Sequence, residues 1–209
     1  MYIAIEGVIG VGKTTLARLL QPMFNAQLLL EVFEENPFLA DFYADRGRYA
    51  FQTQIFFLLS RYHQQRAVSK LMTPEQGVIA DYTFKKDAIF AEINLEGDEL
   101  DTYHQVHNAL AEKIILPHLI VYLRATTDVL MQRIAHRDRP YERDMDRNYI
   151  AELNQAYESF FGDGITGQRV LVIETDHLNY IANAEDLKWV ENRIRQSLDM
   201  PPYQAELLL

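Results

Sequence analysis

The chain of 209 residues contains no cysteine, which excludes a disulfide framework and any metal site built on thiolates. It also has no excess of positive charge, because 20 Lys and Arg residues against 30 Asp and Glu residues give a net charge of −10. That balance argues against binding to nucleic acid through the phosphate backbone. Any basic functional patch must therefore be local. The sequence also shows no internal repeat, low-complexity tract or linker.

Long hydrophobic runs are absent too. No run approaches the ~20 apolar residues of a membrane span, and the first run is too short for a signal peptide and leads straight into a glycine loop. We therefore expect a soluble, cytoplasmic protein with no membrane partner. With 48% hydrophobic residues, the chain can bury a sizeable core. We expect one domain over 1–200 and a tail over 201–209, whose apolar sequence YQAELLL packs either on the body or on a partner.

Five short apolar runs alternate with longer segments of helical periodicity. The runs are nearly continuous, as in strands of a parallel sheet covered on both faces, and they lie at 2–6, 26–31, 77–81, 119–124 and 169–175. The helical segments are 48–72, 83–115 with a break near Gly97, 126–136, 145–161 and 183–199. This alternation predicts an α/β fold with a five-stranded parallel sheet flanked by helices.

The segment between the first strand and the first helix matches the P-loop pattern Gly-x4-Gly-Lys-Thr in full. Its backbone N–H groups and the following helix N-terminus suit a β-phosphate. Lys13 supplies charge to the β- and γ-phosphates, and the Thr14 hydroxyl suits Mg²⁺. The sequence therefore predicts ATP with Mg²⁺. The expected loop residues are Gly7, Val8, Ile9, Gly10, Val11, Gly12, Lys13, Thr14 and Thr15.

Ligands of open parallel sheets bind beyond the carboxyl ends of the strands. The second and third strands end at Glu31 and Asp81, so two carboxylates are expected beside the triphosphate. Asp81 suits Mg²⁺; the alternative is a cap for the next helix, a role that Thr83 could also fill. Glu31 suits a proton acceptor for an attacking hydroxyl, and the alternative is a solvated strand-end glutamate.

The densest basic cluster of this acidic chain lies in RIAHRDRPYE, residues 133–142. Arg133 and Arg137 share a helical face, and Arg139 follows. Cations are common at helix C-termini because of the helix dipole. A cluster of this density also suits a lid, over about 137–145, that neutralises a phosphoryl group during transfer.

These motifs together resemble the deoxyribonucleoside kinases, most closely their bacterial deoxyguanosine/deoxyadenosine kinase branch. The resemblance covers about residues 2–195 and rests on GVIGVGKTT, EVFEENPFLADFY, FQTQIFFLLSR, DYTFKKDAIFA, LIVYLRAT and RIAHRDRPYE. It implies a P-loop kinase fold, usually a homodimer joined through helices, and transfer of the γ-phosphate of ATP to the 5′-hydroxyl of a deoxynucleoside. The branch favours purines as substrates.

The resemblance also implies roles for single residues. It places Glu31 and Asp81 near the 5′-hydroxyl and Mg²⁺, and either of them is then the proton acceptor. On the acceptor side it places Tyr43 and Glu142 at the sugar 3′-hydroxyl, and Gln54, Asp87 and Phe90 at the base. On the ATP side it places Arg133 and Arg137 at the phosphates and Asp176 beside the adenine. Arg61 shares a helical face with Gln54. Gln52 is the alternative to Gln54 for the contact with the base. Tyr43 and Phe90 are also compatible with packing in the core, and Glu142 with an ordinary charged residue at the edge of the lid.

One position departs from the family pattern D/E-R-S, which here is Asp81-Tyr82-Thr83. The arginine usually found near the 5′-hydroxyl is missing, so we expect either that Arg139 or Arg61 reaches that region or that catalysis is slower.

Three other functions fit part of the sequence. A thymidylate-type monophosphate kinase needs positive charge for its acceptor, but Glu31, Glu34 and Glu35 follow the second strand and the P-loop carries no charge between Gly7 and Gly12. A non-catalytic binding subunit would be expected to lose catalytic residues. A nucleic-acid-dependent ATPase is disfavoured by the net charge.

Overall fold

A computed structural model describes residues 1–162 and 167–202. Its centre is a parallel sheet of five strands in the order β2-β3-β1-β4-β5. The strands are β1 Tyr2–Glu6, β2 Ala26–Leu29, β3 Gly77–Ala80, β4 Leu119–Arg124 and β5 Val170–Glu174. All five agree with the predicted runs, because continuous apolar sequence is what a strand buried on both faces requires.

Because the strands are parallel, the loops that follow them leave the sheet at the same end, the carboxyl end of the strands. Ala4 of β1 pairs with Ala80 of β3, and Leu29 of β2 pairs with the same Ala80. Three strand ends therefore lie side by side. The glycine loop, Glu31 and Asp81 all follow at this end.

Helices cover both faces of the sheet within the described ranges. They are α1 Lys13–Met23, α2 Leu39–Ala44, α3 Arg46–Gln65, α4 Val68–Leu71, α5 Lys86–Asn94, α6 Gly97–Ala111, α7 Thr127–Arg137, α8 Arg147–Tyr157 and α9 Ala184–Ser197. Short 3₁₀ turns lie at Phe33–Glu35 and Pro140–Glu142, and a π-helical turn, Glu158–Gly162, follows α8.

Caps explain several helix boundaries. The side chains of Asp45, Asp146 and Asn183 accept backbone hydrogen bonds at the starts of α3, α8 and α9. The segment 83–115 divides where expected, since Gly97 has φ +53°, a left-handed conformation that favours glycine. The segment predicted as one helix over 48–72 is instead two, α3 and α4.

The main core lies between the sheet and α1, α3, α5, α7 and α8. A smaller cluster lies on the other face near the β2–β3 edge and includes Tyr2, Leu29, Val68 and Tyr82. Tyr82 is fully buried, and its hydroxyl donates to Gln64 Oε1 at 2.8 Å.

No helix within residues 1–162 and 167–202 is long and apolar enough to cross a membrane. The tail predicted at 201–209 lies, from residue 203 onward, outside the described residues. The division into a domain and a tail, like the cytoplasmic location, stays a prediction.

Candidate active site

Two clefts open at the carboxyl edge of the sheet. The inner cleft has a cavity volume of about 110 Å³. It is lined by Ile9, Gly10, Lys13, Thr14, Glu31, Phe33, Leu39, Phe42, Tyr43, Thr53, Gln54, Phe57, Arg61, Asp81, Lys86, Phe90, Arg137, Arg139, Tyr141, Glu142 and Tyr149. The outer cleft has a cavity volume of about 610 Å³. It is lined by Gly10, Val11, Gly12, Thr15, Arg133, His136, Arg137 and residues 176–181. Gly10 and Arg137 border both clefts.

The glycine loop separates the two clefts. Gly12 has φ +103°, and a Cβ there would lie 2.6 Å from the Tyr180 hydroxyl, so only glycine fits. Lys13 Nζ donates to the carbonyls of Gly7 at 2.7 Å and Val8 at 3.1 Å. Burial, with repulsion from Lys86, lowers the pKa of Lys13 to about 8. The loop is thus preformed for an anion, with its lysine held at the rim.

Asp81 connects the loop to the end of β2. Its Oδ2 accepts from Thr14 Oγ1 at 2.5 Å, and its Oδ1 accepts from the Glu31 N–H at 2.8 Å. Thr83, not Asp81, accepts the backbone N–H of Lys86 at the start of α5. The helix-capping alternative for Asp81 therefore finds no support in these contacts.

Glu31 is held between two cations. Arg61 donates to its Oε1 through Nε at 2.9 Å and through Nη2, and Lys86 Nζ donates to its Oε2 at 2.6 Å. Burial alone would raise the pKa of Glu31, but Arg61 and Lys86 outweigh it and hold the pKa well below its ordinary value. The carboxylate is therefore ionised at neutral pH and faces the cleft, and it is not a solvated strand-end residue.

Asp87 lies behind Arg61. It is fully buried, pairs with Arg61 Nη1 and does not line the inner cleft. The resemblance implied a direct contact with the base, but the side chain that reaches the cleft is Arg61. Asp87 instead fixes that guanidinium, which also lies 4.6 Å from the centre of the Phe57 ring.

The far wall of the inner cleft combines one amide with aromatic rings. Gln54 is 2% exposed and lines the cleft, whereas Gln52 is exposed to solvent. Within the described part of the chain, no partner is recorded for the Gln54 amide. Phe90 also lines the cleft, with its ring edge-to-face on Tyr157 at 6.2 Å.

The basic segment after α7 closes one side of the inner cleft. Arg137 donates to Glu142 Oε2 through Nε at 3.1 Å and Nη2 at 2.6 Å. Arg139 lies 3.6 Å from Glu142 Oε1 and 4.1 Å from the centre of the Phe33 ring. Tyr43 stacks on Tyr141 with ring centres 6.1 Å apart. Glu142 is thus a buried anchor of this segment and not a solvated charge.

Arg133 and Asp176 belong to the outer cleft. Arg133 donates to the Thr175 carbonyl at 2.6 Å and to the Val11 carbonyl at 3.3 Å, and Asp176 Oδ1 accepts from the Thr126 N–H at 2.9 Å. Ile181 borders the same cleft and is 74% exposed.

Sequence reasoning missed Lys86, Glu6, Tyr141 and Ile181. A signal existed for Lys86, because a basic residue in the first turn of a helix is opposed by the helix dipole. Glu6 ends β1 beneath the loop and accepts from the Gly7 N–H at 3.2 Å and the Thr83 hydroxyl at 2.8 Å. Burial raises its pKa. No group of three or more metal-binding side chains occurs among the residues described.

Comparison with known proteins identifies one family over most of the chain. The family model described as deoxynucleoside kinase matches residues 3–199. A deoxyguanosine kinase of Bacillus subtilis is 33% identical over 199 residues, covering 93% of this chain and 96% of that protein. A deoxyadenosine kinase of Dictyostelium discoideum is 35% identical over 167 residues, covering 78% of this chain and 67% of that protein.

Solved structures agree with these sequence matches. The deoxyadenosine kinase of M. mycoides with the products dCMP and a flexible dCDP bound is 26% identical. It superposes with a TM-score of 0.82 over 94% of this chain and all of its own. The same enzyme has also been solved with dATP bound.

Proposed function

The chain belongs to the deoxynucleoside kinase family, and on that premise we propose that it transfers the γ-phosphate of ATP to the 5′-hydroxyl of a purine deoxynucleoside. The triphosphate lies on the glycine loop with its adenine in the outer cleft between Ile181 and Asp176. The deoxynucleoside lies in the inner cleft. Gly10 and Arg137, which border both clefts, mark the position of the transferred group.

The observation that carries this proposal is the ionised Glu31 in the inner cleft. A carboxylate beside a γ-phosphate is electrostatically unfavourable unless it receives a proton or a hydrogen bond from the acceptor. Its low pKa makes it a weak base, which suits a loose transition state in which positioning and charge supply most of the acceleration. Asp81 is committed to Thr14 and to the Glu31 N–H, so we assign proton acceptance to Glu31.

Mg²⁺ fits the residues present. Magnesium is commonly held by one or two carboxylates together with phosphate oxygens and waters, and the Thr14 hydroxyl and Asp81 carboxylate lie in contact at the loop. When bound there, the ion would neutralise charge between the β- and γ-phosphates.

The inner cleft suits a deoxynucleoside. Phe90 and Phe57 offer ring faces for a base, and the Gln54 amide can donate and accept hydrogen bonds at a purine edge. Tyr43 and Glu142 suit the 3′-hydroxyl, and Asp87 acts on the base through Arg61. The purine preference is supported by the relatives named deoxyguanosine and deoxyadenosine kinase.

The segment 137–145 serves as the lid. Arg137 uses Nε and Nη2 on Glu142, which leaves Nη1 for the γ-phosphate. Arg133 is tied to the Thr175 and Val11 carbonyls, so we assign it to holding the loop after β5 against the P-loop, beside the phosphates.

The runner-up is a monophosphate kinase of the thymidylate type. The acidic corner expected to repel a phosphate is weaker than the sequence indicated, since Glu31 is paired with Arg61 and Lys86 and Glu35 is exposed outside the cleft. The preference for a deoxynucleoside over a monophosphate as acceptor therefore rests on the family and on Gln54 and the aromatic side chains that line the inner cleft. Lys13, Glu31, Asp81 and Arg137 are all present, which disfavours a non-catalytic subunit.

A homodimer joined through helices is part of the proposal. Its support is exposed apolar side chains: Leu59 of α3 is 43% exposed, and Leu116, in the connection between α6 and β4, is 54% exposed. Sedimentation equilibrium should give twice the chain mass. A monomeric mass at micromolar concentration would remove this part of the proposal.

Initial rates with ATP and Mg²⁺ test the whole proposal. The acceptor panel contains the four deoxynucleosides and their 5′-monophosphates, and kcat/KM is compared across it. We expect deoxyguanosine first and deoxyadenosine second. Faster turnover of a monophosphate would favour the runner-up, and a dominant pyrimidine would overturn the base preference.

A further inference from the structure

Lys86 is a buried lysine that the sequence motifs assign to no role. It is the first residue of α5 and is 5% exposed. Both its burial and its position at a helix N-terminus are unfavourable for a cation. Its ammonium nevertheless lines the inner cleft, 2.6 Å from Glu31 Oε2.

Lys86 and Arg61 hold the same carboxylate in different ways. Arg61 is fixed on both sides, by Glu31 and by the fully buried Asp87. Lys86 Nζ makes a single hydrogen bond among the described residues, the one to Glu31. Since an ammonium carries three donors, two remain for a group in the cleft. Arg61 is therefore a rigid support, and Lys86 is a cation with unused donors.

Lys86 lines the same cleft as Gly10, Lys13 and Thr14 of the glycine loop. Lys86 repels Lys13 of the glycine loop enough to contribute to the lowered pKa of Lys13. Its charge also opposes the rise in the pKa of Glu6, at the end of β1. The ammonium thus contacts the Glu31 carboxylate and shares its cleft with the glycine loop.

We propose that Lys86 is a catalytic residue whose ammonium bridges Glu31 and the phosphoryl group as that group moves to the acceptor hydroxyl. The proposal rests on the function proposed above. The acceptor oxygen forms its bond to the γ-phosphorus while the bond from that phosphorus to the β–γ bridging oxygen breaks. The hydroxyl proton passes to Glu31 and then to solvent, and ADP leaves with the bridging oxygen. Lys86 keeps its proton and stabilises the charge on the transferred group.

Three variants separate this role from simple neutralisation of Glu31. Lys86→Met removes the charge and keeps much of the side-chain volume, Lys86→Gln keeps a hydrogen bond to Glu31 without the charge, and Lys86→Arg keeps the charge. Lys85→Met is the matched control, because Lys85 lines a separate cavity with His107 and not the inner cleft. Thermal unfolding by circular dichroism establishes which variants fold.

The single-turnover rate of phosphoryl transfer and the equilibrium Kd values for deoxynucleoside and ATP are measured for each variant that folds. For Lys86→Met and Lys86→Gln we expect the rate to fall about 10²- to 10³-fold. The Kd for the deoxynucleoside should change less than about threefold, because the acceptor hydroxyl is neutral before the reaction. Lys86→Arg should recover at least about tenfold of the loss, and Lys85→Met should match the native protein.

Two results would overturn the proposal. One is a transfer rate within about threefold of the native rate in Lys86→Gln. The other is a loss of rate matched by an equal loss of deoxynucleoside binding, which would indicate a structural role. If the native protein phosphorylates no deoxynucleoside, the proposed function fails; if it does and the variants match it, only the role of Lys86 fails.

Discussion

The outer and inner clefts share Gly10 and Arg137 but differ in what holds their charges. In the outer cleft, beside the glycine loop and the turn after β5, Arg133 is held by the backbone carbonyls of Val11 and Thr175. The inner cleft is made of side chains in buried ion pairs, with Glu31 and Glu142 each between two cations.

That difference has a consequence for function. Backbone N–H groups bind any triphosphate and tolerate many substitutions. A buried ion-pair network fails when one member is removed, because its partner is left buried and uncompensated. We therefore expect specificity and reactivity to depend on the ion pairs of the inner cleft, and anchoring of the donor to depend on the glycine loop and Lys13.

The largest effect should come from Lys13→Ala. Without the loop ammonium the β- and γ-phosphates lose their main protein charge, and kcat/KM for ATP should fall about 10³-fold. Initial-rate kinetics over ATP concentration measure this. Lys70→Ala, on the exposed side of α4, is the control and should match the native protein. Activity retained in Lys13→Ala would mean that the phosphorylation comes from a contaminant.

Arg61→Met should cause the next largest change, and it should appear in stability. The substitution leaves the fully buried Asp87 without a cation, a defect that costs about 3 kcal/mol. Urea unfolding measures the free energy. Arg143→Met removes an arginine from an exposed pair with Asp138 and should leave the midpoint unchanged. Equal midpoints for both variants would contradict the difference drawn between buried and surface pairs.

The sequence predicted the strands and the glycine loop more completely than the rest of the inner cleft. A P-loop is contiguous, and a buried strand is marked by its own composition, so both can be identified without knowing the tertiary fold. The positions of Lys86, Tyr141 and Asp87 in the site depend on how α5 and the lid segment are oriented relative to α3. Those orientations arise from packing, which no local pattern records.

Position 82 illustrates the same limit. The sequence showed that the expected arginine was absent, but not where a side chain at that position would point. Successive residues leaving a strand face opposite sides, so Asp81 faces the glycine loop while Tyr82 is buried against Gln64. Arg61 does reach Glu31, whereas Arg139 lies against Glu142 and Phe33.

Glu31→Gln and Asp81→Asn should separate the two carboxylates at the junction of the clefts. Glu31→Gln should lower kcat about 10²-fold with the KM for ATP unchanged, since it removes the proton acceptor. Asp81→Asn should instead raise the Mg²⁺ concentration needed for half-maximal rate. Initial rates over a magnesium titration distinguish them. The same Mg²⁺ dependence in both variants would show that the two carboxylates act as one site.

The smallest effect should be a pH dependence of ATP binding that comes from the glycine loop alone. Lys13 has its pKa lowered to about 8 in the free protein, by burial and by Lys86, so it loses its charge as the pH rises through about 8. The triphosphate binds the protonated form, and the Kd for ATP should therefore rise about threefold between pH 7.5 and 8.5. The same shift makes the folded protein release this proton before the unfolded chain does, so this group adds stability as pH rises from about 8 toward 10.5.

Isothermal titration at the two pH values, in buffers of different ionisation enthalpy, measures both the affinity and the proton uptake. Lys13→Arg stays charged throughout this range and should show a flat Kd and no uptake. A pH-dependent Kd in Lys13→Arg would place the titrating group elsewhere in the cleft. A flat Kd in the native protein would mean that the loop lysine is fully charged before ATP arrives.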